Sequence, residues 1–319
     1  MFTTLSLHLF AAFQLLLPLY LVQRLWRLDV RTSGAWLLEA LHAAGALALL
    51  FLMGRWDVVG YPLRYGLYGL RLGGVALSWV RVRGLPSRRD GATAWRGMAA
   101  LELALFTGAL VWVGVSLPPE SRTVEVRPPL EGGRHIVVQG GATPVTNYHG
   151  LFAEPQTWAL DIVRLDGWGV RASGVLPDDP RSYAIFGDTV RSPLSGRVVD
   201  VVDSLPDQTP PETLASRPAG NHVWIRRDSV HLLLAHLQHG SVRVDEGERV
   251  EAGQPVARVG NTGNTSEPHL HLHAVIFPGG APDADSLLRG GKPVPLSFGD
   301  GPLLRNSAFG DGPPGAQGG

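Results

Sequence analysis

From Leu5 to Val22 the chain carries no Asp, Glu, Lys or Arg, and about 18 to 20 apolar residues are what a helix needs to cross the hydrocarbon core of a bilayer. This stretch commits the start of the chain to a spanning helix. It is longer than a signal-peptide core, no basic residue precedes it and no small-residue cleavage pattern follows it, so it is expected to stay as an anchor. A second span fits Gly34 to Met53, interrupted by Glu39 and His42, and a third fits Met98 to Leu117, which contains only Glu102. Val58 to Val80 has the length of a span but holds Arg64 and Arg71. An Arg at mid-membrane costs about 2.5 to 3.5 kcal/mol on insertion scales.

Loop charges bear on the count. Arg24, Arg27 and Arg31 follow the first span, Arg81, Arg83, Arg88, Arg89 and Arg96 precede the last, and the loop with Arg55 and Asp57 is nearly balanced. With about four transmembrane helices both basic loops lie in the cytoplasm, as the positive-inside rule requires. Both termini then lie outside. Three spans would separate the two basic loops. Four are therefore expected, with Arg64 reaching toward the interface and Arg71 facing other helices. A transport path lined by Glu39, His42, Arg71 and Glu102 is the weaker alternative to polar residues facing the bundle.

Beyond Leu117 the composition changes, with Pro, Gly, Asp and Arg rising while apolar residues break into short runs. Runs rich in β-branched residues at Gly196 to Val202, His222 to Arg226, His231 to His236, Pro255 to Val259 and His269 to Phe277 predict an all-β, mainly antiparallel domain. Two long loops, Asp166 to Asp188 and Ser204 to Gly220, are placed to shape a groove on that scaffold. The expected division is a transmembrane helical region at 1–118, the sheet domain at 119–298 and a Gly/Pro-rich disordered tail at 299–319. With 28 basic and 28 acidic residues and no basic block, no nucleic acid partner is expected. The chain has no Cys, so only His and carboxylates can serve as zinc donors.

The chemistry concentrates in Pro268-His269-Leu270-His271-Leu272-His273. On a strand, residues two apart share a face, so these histidines can converge on one metal, or simply form a polar sheet face. Upstream stand Asn147-Tyr148-His149 and Trp158-Ala159-Leu160-Asp161. Catalytic zinc takes three protein ligands and keeps an open position, and His149, Asp161 and His271 meet that count. Asp161 could instead cap a turn, although a carboxylate within an apolar run is costly unless it is paired. His236 ends the run Leu232-Leu233-Leu234-Ala235. Beside a metal site it can act as general base or stabilise an oxyanion; elsewhere it would be a satisfied core histidine. His135, His222, His231 and His239 suit structural or surface roles.

Taken together, Gly260-Asn261-Thr262-Gly263-Asn264-Thr265-Ser266-Glu267-Pro268-His269-Leu270-His271, Ala235-His236-Leu237 and Val250-Glu251-Ala252-Gly253-Gln254-Pro255-Val256-Ala257 resemble the M23 family of metallopeptidases, also called LytM or lysostaphin-like. The resemblance runs from about Gly140 to Phe277. It implies one zinc ion held by His149, Asp161 and His271, with His236 and His269 as the catalytic pair. It further implies cleavage of peptide bonds in peptidoglycan stems or cross-bridges, and the expected topology separately places the domain on the outer side of a bacterial cytoplasmic membrane. The chain departs from the family pattern twice. His149 and Asp161 stand twelve positions apart where the family keeps four. His273 occupies a place that is commonly acidic. The alternatives are a non-catalytic, membrane-tethered scaffold that binds cell wall or activates another hydrolase, and a peptidase acting on a protein substrate.

Overall fold

The computed structural model describes residues 4–27, 32–86, 94–277, 287, 289–299 and 301–310. Arg31, Arg88 and Arg89 lie outside the described residues, as does the tail from 311. Four long helices open the chain: α1 (Thr4–Arg27), α2 (Ser33–Met53), α4 (Leu63–Val82) and α5 (Ala94–Val115), with the single turn α3 (Trp56–Val59) between α2 and α4. Thr32 starts α2 by accepting the Ala35 N–H at its hydroxyl, 3.2 Å away.

Two stretches, Leu5–Trp26 and Ser33–Met53, are long and apolar enough to cross a membrane. The expected four spans are not supported. In α5 the apolar stretch among the described residues is Ala100–Val115, and α4 carries Arg64 and Arg71, both buried. Arg64 does not reach outward: its guanidinium lies 3.9 Å over the Phe51 ring and donates to the Asn306 carbonyl at 3.2 Å. The helices also satisfy their polar groups against one another. Arg24 pairs with the buried Glu39 at 2.5 Å, and His42 with Glu102 at 2.6 Å.

The second half builds an antiparallel sheet of nine strands among the described residues. In spatial order they are β13 (Ala308–Gly310), β2 (Arg134–Gln139), β3 (Leu160–Leu165), β10 (Leu270–Ile276), β7 (Val230–Leu237), β6 (Asn221–Arg227), β5 (Gly196–Val202) and β8 (Arg249–Val250), with β11 (Lys292–Val294) also on β10. Two small ribbons flank it, β1 (Val124–Glu125) with β12 (Leu296–Ser297) and β4 (Thr189–Arg191) with β9 (Pro255–Arg258). The expectation of disorder from Gly299 is corrected over 301–310: Ala308–Gly310 pairs with β2, and Phe309 stacks on the buried His135 at 5.3 Å.

Strand alternation sorts β3 between two environments. Leu160 and Ile162 enter the main core with Val223, Leu234 and Leu272. Asp161, Val163 and Leu165 face the other way. Val163 and Leu165, joined by Ile136 and Val138 of β2, bury against Trp36, Leu47, Trp56 and Tyr61 of the helices. The helical part therefore covers one end of the sheet face on which Asp161 stands.

Candidate metal centre and active site

Asp161 on β3 and His271 on β10 are register partners across the sheet, and His271 Nδ1 lies 2.9 Å from Asp161 Oδ1. His149 arrives from a separate segment. It begins α6 (His149–Phe152), after which a turn at Glu154–Gln156 brings the chain back into β3. Its Nε2 stands 3.4 Å from Asp161 Oδ2. The three side chains bring one ligand atom each within 4.8 Å of one another. The twelve-position separation is thus accommodated by a folded loop.

Asn147 closes that loop. Its amide donates to the carbonyls of Gly141 at 2.8 Å, Thr157 at 3.2 Å and Ala159 at 2.9 Å. Its carbonyl oxygen accepts the backbone N–H of His149 at 3.1 Å and the ring Nδ1–H at 2.9 Å. Because that oxygen can only accept, the proton sits on Nδ1 and Nε2 keeps its lone pair toward Asp161. Nothing in the sequence pattern assigned Asn147 this work, since it depends on which carbonyls the loop brings together.

The protonation states favour a cation. Burial pushes His149 down to about 4. Burial acts to raise the Asp161 carboxyl, but His149 and His269, with hydrogen bonds from His269 and His271, outweigh it and hold the group well below its usual range. Neutral imidazole and ionised carboxylate are the forms that bind metal. On the far side of His271, Nε2 lies 2.9 Å from Nδ1 of His273. Burial, reinforced by His271, keeps His273 well below the usual histidine value, so it serves as a neutral acceptor for His271.

The two remaining histidines are aimed by their backbones. In the β6–β7 ladder, Ala235 pairs with His222 and Leu237 with Asn221, leaving His236 as an extra residue with φ 63°. A bulge of this kind re-aims a side chain that strict alternation would send to the core. It directs the His236 ring to within 4.8 Å of the His269 ring and 5.7 Å of His271. His236 Nδ1–H donates to the Thr262 carbonyl at 2.8 Å and His269 Nδ1–H to the Glu267 carbonyl at 2.9 Å, which turns both Nε2 atoms toward the cleft, that of His269 lying 3.5 Å from Asp161 Oδ1. Gly220 makes this possible: at φ 61° its backbone lies against the Thr262 carbonyl, and any side chain there would collide with it.

These groups line a cleft of about 420 Å³. One wall comes from Thr213, Pro218 and Ala219 in the long loop that ends at Gly220, the other from Tyr148 and Phe152. Phe152 is 85 % exposed at the rim. The other histidines stand apart: His222 bonds Asp200 at 2.8 Å, His231 packs on Phe277, and His239 is exposed in a turn.

An antiparallel sheet with a His/Asp/His cluster and two facing histidines defines a candidate metallohydrolase site. Residues 182–280 match the model of Peptidase family M23. His236, His269 and His271 fall within the matched residues; His149 and Asp161 precede them. Among curated proteins, the peptidoglycan DD-endopeptidase ShyC of Vibrio cholerae serotype O1 is 38% identical over 58 residues, which is 18% of this chain and 13% of that protein. The chain therefore spans only a small part of that relative. Among solved structures, the catalytic domain of lysostaphin from Staphylococcus simulans shares 22% identity at a TM-score of 0.23, covering 28% of this chain and 60% of the other. A zinc-containing peptidase from Vibrio cholerae shares 21% at 0.27, covering 50% and 35%.

Proposed function

We propose that the chain is a membrane-anchored zinc metalloendopeptidase that hydrolyses peptide bonds in peptidoglycan stems or cross-bridges. The observation that carries this reading is the meeting of His149, Asp161, His271, His236 and His269, drawn from four separate segments, around one cleft. The donor set fits zinc: three nitrogen and oxygen ligands on a cleft wall, with Asn147 and His273 engaging the outer nitrogens of the two imidazoles. His149, Asp161 and His271 would hold the ion, and bound zinc would supply Lewis acidity for the scissile carbonyl and lower the pKa of water toward neutrality.

The remaining steps belong to the chain. His236 and His269 present Nε2 atoms from one side of the cleft, each with Nδ1 tied to a carbonyl. One can take the proton of the attacking water at Nε2, and the other can donate from Nε2–H to the oxyanion or the leaving amine. Asp161 at 3.5 Å outweighs burial and raises His269 above the usual histidine value, whereas burial and the neighbouring histidines press His236 well below it.

The two apolar helices support the membrane anchor. Since the loop between α2 and α4 packs on the sheet domain, loop and domain share one side of whatever bilayer those helices cross. Peptidoglycan, which the curated relative's name gives as its substrate, lies on the outer side. Purified full chain in detergent is expected to hold one zinc per molecule and to release peptides from isolated peptidoglycan, with chelation stopping release and added zinc restoring it. Metal-free protein without turnover would instead support a wall-binding scaffold.

A further inference from the structure

Glu267, next to the Pro268-His269 pair, touches the helical part of the molecule and the catalytic histidine at once. Its backbone carbonyl accepts His269 Nδ1–H at 2.9 Å and the Thr265 hydroxyl at 2.7 Å. Its carboxylate is held by two arginines: Arg55 Nη2 at 2.7 Å from Oε1, and Arg171 Nε at 2.8 Å from Oε2. Arg55 comes from the loop after α2, and its guanidinium also grips Asp57 of α3 at 2.7 and 2.9 Å. Arg171 closes the ring, with its Nε 3.3 Å from the Asp57 carboxylate and its backbone N–H 2.8 Å from the Asp57 carbonyl.

Two positive and two negative groups are thus shared between the helices and the sheet domain. Asp57 and Arg171 are each only 1 % exposed. Charges so far from water persist only when each partner is present. The same seam is fastened by Asn306, whose side-chain amide donates to Leu52 O at 2.9 Å and Gly54 O at 3.1 Å while its backbone carbonyl accepts the Tyr61 hydroxyl at 2.8 Å. If Arg55 were withdrawn, the Glu267 carboxylate would lose a partner, and the segment that carries the His269 acceptor would lose its anchor on that side.

We infer that Arg55 and Asp57 are positioning residues of the peptidase site, and that docking of the helical hairpin on Glu267 keeps His269 in its working tautomer and orientation. The inference rests on the peptidase reading given above. It makes the membrane part a built-in component of the active site, so that any movement of α2 against the sheet domain is transmitted to His269 through one side chain and one carbonyl.

The test uses full chain in detergent, comparing wild type with Arg55→Ala, Arg55→Lys, Glu267→Gln and the double variant Arg55→Ala/Glu267→Gln. Turnover of a soluble peptidoglycan fragment, zinc content and ¹⁵N spectra of histidine-labelled protein are measured on each. The expected result is a fall in kcat of about 100-fold for Arg55→Ala, the scale of a misplaced catalytic group, with KM and zinc content at wild-type values. Arg55→Lys, which keeps the charge but loses the fork, should fall by about tenfold. The double variant should be no worse than the worse single one, and the His269 Nδ1–H signal should weaken in parallel. Wild-type kcat and an unchanged His269 signal in the variants would overturn the inference, as would kcat loss accompanied by loss of zinc. If Arg55→Ala fails to fold, Arg55→Lys decides by the same criteria. If wild type itself neither binds zinc nor turns over, the peptidase reading has failed, and the His269 spectrum alone then decides whether the hairpin sets its tautomer.

Discussion

Each imidazole at the site has one nitrogen committed so that the other can work. Asn147, Thr262 and Glu267 take Nδ1–H of His149, His236 and His269 respectively, each at 2.8 to 2.9 Å. His271 is turned around, with Nδ1 toward Asp161 and Nε2 toward His273. Groups that orient a metal ligand are worth about 10- to 100-fold in metal affinity. Asn147→Ala is therefore expected to weaken zinc binding by about that factor in a competition titration, because the His149 ring loses its tautomer lock and the loop loses its three-carbonyl clasp. An unchanged affinity would show that His149 is oriented by packing alone. At this scale the sequence pointed to the three clustered residues and was silent about their supports. Residue type and spacing pointed to His149, Asp161 and His271, but Asn147, Thr262 and Glu267 act through carbonyls and carboxamides whose partners exist only after folding.

Among the elements, the strands were the most legible. The run at Gly196 to Val202 matches β5 residue for residue, and those at His231 to His236 and His269 to Phe277 fall within a residue of β7 and β10. Hydrophobic alternation could not show the bulge at His236, since a left-handed residue interrupts the period on which the reading depends. The helices were harder. Loop charges, more than length, favour a span over Val58 to Val80, but the structure turns Arg64 onto Phe51 and Asn306 and breaks the segment after Val59. The seam between helices and sheet adds a pH dependence. Burial alone would raise Glu267, yet Arg171 and Arg55 overcome it and hold its carboxyl down to about 2, against an ordinary value of 4.5. Folded protein thus keeps this group ionised where unfolded protein takes up a proton. The resulting stabilisation, roughly 3 kcal/mol, is complete above the ordinary value and is lost as pH falls toward 2. Thermal melting of the full chain should therefore drop more steeply between about pH 5 and pH 2 than melting of Glu267→Gln. Equal slopes would contradict the assignment of this carboxylate as ionised and paired.

The molecule as a whole is two structural parts that share a core. Ile136, Val138, Val163 and Leu165 of the sheet are buried by Trp36, Leu47, Trp56 and Tyr61 of the helices, and the same sheet face continues to Asp161. Composition separated the two halves, but it carried no sign that they would pack together, because Val163 and Leu165 read equally well as ordinary strand residues. The central claim is that the face they share ends in a zinc-dependent peptidase acting on peptidoglycan. Mass spectrometry of the muropeptides released from purified cell wall by the full chain, set against Asp161→Ala, tests it most directly. The account predicts products in which a stem or cross-bridge peptide bond has gained water, formed by wild type only when zinc is present and not formed by Asp161→Ala. Identical product sets from both proteins, or no products from a wild type that holds its zinc, would contradict it.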